Sequence, residues 1–175
     1  MVGKNSLESV ISQIAFEIVD EKILDANEIN KFLGVLSNDG VYAMWVYALY
    51  KIGCEFSPNI NLESMRIFKL LKKIAELDKY VTNSLNYENL IKEISGLGKE
   101  IFDLEKEIKE IDSDTTNNRS EEMKKLKEKK EKERRKKLNE YFINLANEID
   151  TLLFFKDLLE KTLIYARYHA KAMEE

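Results

Sequence analysis

Apolar residues recur along most of the chain at the three- and four-residue steps of an amphipathic helix. A first stripe spans residues 7–19, and a second follows Asp25, which stands three residues before Glu28 in the spacing of a capping box. Residues 41–50 carry no charge at all, and a helix that is apolar all round is normally central to a core. The N-terminal part of the chain is therefore predicted to hold three helices, the third of them buried.

A fourth apolar stripe predicts a helix that Asn61 caps and that ends near residues 81–83. The strictest repeat follows it, with steps that alternate between three and four residues, as in a coiled-coil heptad. Its eight positions, which we call the heptad seam, are Tyr87, Leu90, Ile94, Leu97, Ile101, Leu104, Ile108 and Ile111. The seam predicts a helix of about 37 Å at 1.5 Å per residue.

The polar stretch 112–119 predicts a turn, with Ser120 as the cap of the next helix. From Glu121 to the end there is neither Pro nor Gly. One very long helix fits this segment, and so do two helices in succession with a bend near Asp150.

The fold class that these patterns predict is all-α. One Pro and six Gly in 175 residues leave few helix breakers. We expect a helical bundle with a long protruding coiled-coil-like helical hairpin. Residues 1–84 and 138–175 would form the bundle, and residues 85–137 would form the hairpin as an insertion made of an acidic arm, a polar turn and a basic arm.

The net charge of −4 conceals a segregation of charge along the chain. Residues 124–137 hold ten basic and three acidic side chains, or +7, which leaves −11 for the rest. Residues 87–112 hold eight acidic and four basic side chains. A hairpin folded at the polar turn would lay the two arms side by side, with exposed ion pairs that contribute about 0.2–1 kcal/mol each.

Such a hairpin sets the middle of the heptad seam against residues 128–135, which are nearly all charged. Two arrangements would avoid setting an apolar seam against charged side chains. The seam packs against the bundle or another chain, or the basic arm is only partly ordered until it meets an anionic partner.

Cationic side chains at helical spacing are the candidate nucleic-acid-binding residues, because each neutralised phosphate releases a counterion. A solvated helix face is the alternative explanation. The candidates are Arg66, Lys69, Lys72 and Lys73 in the fourth helix, and Lys129, Lys130, Arg134, Arg135, Lys136 and Lys137 in the basic arm. The aromatic residues of segment 41–50 either fill the core or offer faces on which bases stack.

The sequence offers no site chemistry. It has one histidine, His169, one cysteine, Cys54, and no glycine-rich phosphate-binding motif. Ala166 breaks the Glu-x-x-His spacing that helical di-iron bundles need. We therefore expect no catalytic residue, no metal and no cofactor, with His169 on the surface or in packing and Cys54 buried. No apolar run reaches 18 residues and no signal core is present, so we expect a cytoplasmic protein without a membrane partner.

Segment 23–53, ILDANEINKFLGVLSNDGVYAMWVYALYKIG, combines a short helix, a small turn and an Ala/Tyr-rich apolar helix. It resembles the small helical subunit of type I-A CRISPR effector complexes, a family related in build to the small subunits of type III effectors. The closing segment, LLFFKDLLEKTLIYARYHAKAMEE, is similar to the end of the type III small subunits. Residues 87–137 depart from that pattern as an insertion.

The resemblance implies a non-catalytic subunit, present in several copies, that lies beside guide RNA and its paired target. Its partners would be other effector subunits, further copies of itself and single-stranded DNA or RNA backbone, with no small-molecule substrate. Base pairing, not the protein, would select the sequence. The alternative is a coiled-coil interaction or scaffold protein that oligomerises through the heptad seam.

Overall fold

The computed structural model describes residues 6–54, 56, 61–111 and 117–173. These ranges hold helices and connecting turns but no strand, which confirms the all-α prediction. The helices are α1 (Leu7–Asp20), α2 (Ala26–Asp39), α3 (Val41–Ile52), α4 (Arg66–Asp78), α5 (Tyr87–Ile111), α6 (Asn117–Leu145) and α7 (Ile149–Met173). Most of the predicted polar turn lies outside the described residues.

The chain divides into two compact units. The first consists of Met1–Cys54, Glu63–Tyr87 and Phe142–Glu175, and the second of Glu55–Leu62 and Glu88–Tyr141. The second unit therefore combines most of α5 and of α6 with a short segment from before α4. The sequence does not indicate that this segment belongs there.

The core of the first unit forms around α7, which packs against α1, α2 and α4, while α2 also packs against α3. Phe32 and Phe155 are completely buried within it. Trp45 is also completely buried and stacks on Phe142, with ring centroids 4.6 Å apart. Each such side chain stabilises the fold by about 1.5–3 kcal/mol through burial.

Helix α3 has one buried face and one exposed face, so it belongs to the core on one side only. Tyr42 is 44% exposed, Val46 41% and Tyr50 82%. Four other positions of the helix are buried: Val41, Met44, Trp45 and Ala48. The uncharged sequence of α3 thus reflects a core face and an apolar surface face, and not burial on both sides.

Local signals predict the start of α2 well. The Asp25 carboxylate accepts a hydrogen bond from the Glu28 amide at 2.8 Å, and the Glu28 carboxylate accepts one from the Asp25 amide at 3.0 Å. This reciprocal pair is the predicted capping box. Helix α5 likewise has the bounds that the heptad seam predicts, Tyr87 to Ile111.

Other helix ends differ from the prediction. Asn61 precedes a 3₁₀ turn, Leu62–Ser64, and α4 begins only at Arg66, as is frequent at helix N-termini. Ser120 is not a cap, because α6 begins three residues before it. The C-terminal segment forms two helices, and the break between α6 and α7 lies at residues 146–148, close to the predicted bend.

A buried carboxylate ends α4 earlier than predicted. Asp78 is completely buried, and its carboxylate accepts hydrogen bonds from the Thr82 hydroxyl at 2.5 Å and from the amides of Ser84 and Leu85 at 2.9 Å. By accepting these hydrogen bonds, the carboxylate stabilises a non-helical turn in place of a continuation of the helix. The connection that leads to α5 is therefore folded around one side chain.

We predict that Asp78→Ala lowers the free energy of unfolding by about 2–3 kcal/mol, because the donors of Thr82, Ser84 and Leu85 lose a charged acceptor and hydrogen bonds to charged groups contribute about 1.5–3 kcal/mol. Urea unfolding followed by circular dichroism measures this. Asp157→Ala, at an exposed position of α7, is the matched control and should change stability by less than about 0.5 kcal/mol. Equal effects of the two substitutions would contradict the role given to Asp78.

Candidate nucleic-acid interface

Ion pairs join the acidic helix α5 to the basic helix α6. They connect Lys127 to Glu105 at 2.9 Å, Lys130 to Glu100 at 2.6 Å and Lys137 to Glu93 at 3.0 Å. As the number rises along α6, the number of the partner on α5 falls, so the two helices are antiparallel. The predicted charge pairing between the acidic arm and the basic arm, side by side and antiparallel, is confirmed.

The three paired lysines form part of what we call the inner row of α6: Lys127, Lys130, Arg134 and Lys137. All four are partly buried. In each of the three lysines, the hydrogen bond to the α5 carboxylate is the largest influence on the pKa and raises it. These three lysines therefore stay charged at neutral pH, and their charge is directed at α5.

The heptad seam divides into a buried and a half-buried part. Tyr87, Ile94, Leu97 and Ile101 are buried, and Leu90, Leu104, Ile108 and Ile111 are half-buried. In the second unit, Phe56 and Leu62 line one small cavity together with Ile94 and Ile101. Phe56 and Leu62 thus supply the apolar partner that the charged arm lacks.

Arg134 shows how a cation contributes to this packing. Its guanidinium carbon lies 3.6 Å from the centroid of the Phe56 ring, within the range of a cation–π contact. Arg134 therefore covers an aromatic side chain with its charged plane. The sequence indicates neither this contact nor the position of Phe56.

A second row of cations lies on the opposite face of α6. The outer row, as we call it, consists of Lys125, Lys129, Lys132 and Lys136. Its steps of four, three and four residues place all four on one helix face, and all four are exposed. Within the described part of the chain none of them has an ion pair. At 1.5 Å per residue the row is about 16 Å long.

The structure separates the predicted basic-arm residues into these two groups. Lys129 and Lys136 belong to the outer row, and Arg135 is exposed beside it. Lys130, Arg134 and Lys137 belong to the inner row. The prediction did not include Lys125 and Lys132, although the 4-3-4 step that they complete is visible in the sequence.

Two of the four predicted cations of α4 bind carboxylates inside the first unit. Arg66 forms an ion pair with Glu28 and donates a hydrogen bond to the Ile23 carbonyl at 2.9 Å. Lys73 is only 8% exposed and forms an ion pair with Glu17. A solvated face is therefore the wrong description for Lys73.

The pair of Lys73 with Glu17 joins α4 to α1. Burial alone would lower the pKa of Lys73, but the hydrogen bond to Glu17 and the nearby carboxylates raise it. For Glu17, burial would raise the pKa, and the hydrogen bond from Lys73 lowers it. Both groups are therefore charged at neutral pH. Lys69 and Lys72 form no ion pair within the described residues, although the charge of Lys72 also lowers the pKa of Glu17.

Other site chemistry has little support in the described residues. Among them no group of three or more His, Cys, Asp and Glu side chains is placed to hold a metal ion. His169 packs against the Phe16 ring at 5.9 Å between centroids, as a packing histidine would. Cys54 is half-buried, less than expected. In the part of the chain with described coordinates, no helix is long and apolar enough to cross a membrane.

Compared with protein-family models, with curated proteins and with solved structures, the chain matches none. Carboxylates of α5 neutralise the inner row, while the outer row presents four positive charges on one face.

We predict that the two rows differ in chemical reactivity. An acetylating reagent in limited amount attacks the neutral amine, which is scarcer in a lysine whose pKa is raised. Lys127, Lys130 and Lys137 should therefore react several-fold more slowly than the four outer-row lysines of the same helix. Peptide mass spectrometry of the folded protein measures both sets, and equal rates would contradict the division into rows.

Proposed function

We propose that this protein is a non-catalytic helical subunit that binds the backbone of nucleic acid through the outer row of α6. The observation that carries the proposal is the exposure of four lysines on one face of α6, while three lysines on its other face pair with carboxylates of α5. Phosphate contacts of this kind give affinity without sequence selection. The partner that we propose is the backbone of single-stranded DNA or RNA.

The dimensions of the outer row suit an extended polyanion. Four ammonium groups lie along about 16 Å of a straight helix. One strand at the spacing of B-form DNA carries one charge per roughly 3.4 Å of axis, so a single strand laid along the row meets several phosphates at once. A single small anion would use only part of this surface.

The negative net charge does not oppose this interface. Three of the α5 carboxylates lie within 3.0 Å of inner-row lysines, so their charge is compensated locally. At physiological salt, charges more than about 8 Å from the outer row are largely screened. The local excess of lysine therefore decides what approaches α6.

We further propose that the protein acts as the small subunit of a CRISPR RNA-guided effector complex, together with other effector subunits and further copies of itself. The support is the resemblance of segments 23–53 and 152–175. In the first unit these segments contribute α2, α3 and α7, and α2 packs against both of the others. The two similar segments therefore belong to one packed structure.

We predict that replacing all four outer-row lysines with Gln weakens binding of single-stranded DNA at least tenfold at low salt. The slope of log K against log salt should fall by about 3, because each lost phosphate contact on a single strand contributes about 0.7. Fluorescence anisotropy with a labelled oligonucleotide measures both quantities.

The control has the same net charge and changes four exposed lysines of the first unit: Lys31, Lys51, Lys79 and Lys171. It should bind with nearly the affinity and slope of the wild type. If the two variants lose affinity equally, binding follows overall charge and not the outer row. If the wild type does not bind at low salt, alone or with its complex, the proposal is wrong.

A second candidate function is oligomerisation or scaffolding through the heptad seam. The observation in its favour is that Leu104, Ile108 and Ile111 are only half-buried. If this end of the seam holds another chain, replacing Leu104 and Ile108 with Ser should abolish oligomers in light scattering while α-helix content is kept. An unchanged molecular mass would show that the seam serves internal packing only.

A further inference from the structure

The first turns of α7, which belong to the first unit, carry an exposed apolar surface. We call it the α7 stripe; it consists of Ile149, Leu153 and Phe154, which are 62%, 51% and 44% exposed. Ile149 and Leu153 stand four residues apart and so lie on one helix face, with Phe154 beside them. The opposite face of α7 is buried in the core of the first unit, with Phe155 and Leu159 among its residues.

Acidic side chains border the α7 stripe. Asp150 stands four residues before Phe154, and Asp157 stands four residues after Leu153, so both lie next to the stripe on the helix surface. Both carboxylates are exposed, and within the part of the chain that the structure describes neither has an ion pair. Residues 138–155 contain no Lys, Arg or His that could compensate them.

The first lysine after the stripe is directed elsewhere. The ammonium group of Lys156 donates a hydrogen bond to the Ser37 carbonyl at 3.0 Å and lies 3.8 Å from the Glu160 carboxylate. Its charge is therefore used within the first unit, between α7 and the end of α2. The α7 stripe remains an apolar surface with a negatively charged border.

The area of the stripe limits what can cover it. Three large side chains that are each about half exposed present about 300 Å² of apolar surface, as much as the largest patch on many monomers. A stable complex of two folded proteins buries about 800 Å² on each partner, so the stripe is too small to hold a second globular chain by itself. A second copy seated on the same stripe would also bring like carboxylates together, which is unfavourable.

We propose that the α7 stripe docks a single amphipathic helix of a partner protein, whose apolar anchors are bordered by Lys or Arg. Such a helix needs only a few anchors at three- and four-residue steps, which the three side chains of the stripe can contact. The cations of the partner would face Asp150 and Asp157. Apolar contact supplies the affinity, and the charge selects the partner and its orientation.

The test uses the full chain and two fluorescent synthetic helical peptides of equal length with the same leucine anchors. One peptide has lysine and the other glutamate at the positions beside the anchors, and fluorescence anisotropy measures their binding. The variant is Leu153→Ser with Phe154→Ser. The matched control is Val46→Ser with Tyr42→Ser on α3, where the two side chains are 41% and 44% exposed. Circular dichroism checks that each variant is folded.

We expect the lysine peptide to bind saturably and at least tenfold more tightly than the glutamate peptide. Leu153→Ser with Phe154→Ser should weaken this binding at least fivefold, and the α3 control should not change it. Asp150→Lys with Asp157→Lys should reverse the preference between the peptides. Absence of saturable binding, equal binding of the two peptides, or an equal loss in the α3 control would overturn the proposal.

Two other occupants of the stripe would give different results. A second copy would appear in light scattering, without any peptide, as a molecular mass that falls in the Leu153→Ser, Phe154→Ser variant. A membrane surface would appear as co-sedimentation with phosphatidylcholine vesicles that the same variant loses. Either result would overturn the proposal of a partner helix.

The α7 stripe is independent of the function proposed for α6. The variant Leu153→Ser with Phe154→Ser should bind single-stranded DNA like the wild type, and the Gln variant of the outer row should bind the lysine peptide like the wild type. Each proposal can therefore fail while the other stands.

Discussion

Charge pairing between α5 and α6 is the interaction on which the second unit depends. Residues 124–137 of α6 contain one apolar side chain, Leu126, and it is 41% exposed. A helical segment with so little apolar surface cannot be held to a neighbour by burial alone. The α5 carboxylates at 2.6–3.0 Å from three lysines supply the attraction and fix the register. Each partly exposed pair is worth little, so the arrangement depends on their repetition along both helices.

The same constraint produces the candidate interface. A helix has two faces, and α5 can neutralise only the face that it contacts. The lysines on the opposite face are left exposed, and their mutual repulsion is relieved by salt or by a polyanion. Stability on one side of α6 and affinity for anions on the other therefore follow from one basic segment.

Periodicity and local capping chemistry predict much of the fold. The bounds of α5 follow from the heptad seam, and the start of α2 follows from Asp25 and Glu28, because both signals are local in the chain. The end of α4 does not follow, because the sequence does not show that Asp78 is buried and accepts hydrogen bonds from Thr82, Ser84 and Leu85. The exposed face of α3 is missed for a related reason: composition cannot tell an apolar surface from an apolar core.

The candidate sites are only partly visible in the sequence. A run of lysines indicates a cationic segment, but only the register of α6 against α5 separates the inner row from the outer row. Lys73 and Lys72 are adjacent and of the same type, yet one is buried against Glu17 and the other is exposed. The cover of the heptad seam by Phe56 and Leu62 is likewise a contact distant in sequence, which no local pattern indicates.

Binding of nucleic acid through the outer row of α6 is tested most directly by lysine footprinting of the full chain with and without a saturating single-stranded oligonucleotide. We expect Lys125, Lys129, Lys132 and Lys136 to lose reactivity on binding, while the inner-row lysines and the exposed lysines of the first unit do not change. Protection that falls on other lysines, or that spreads evenly over the chain, would contradict it.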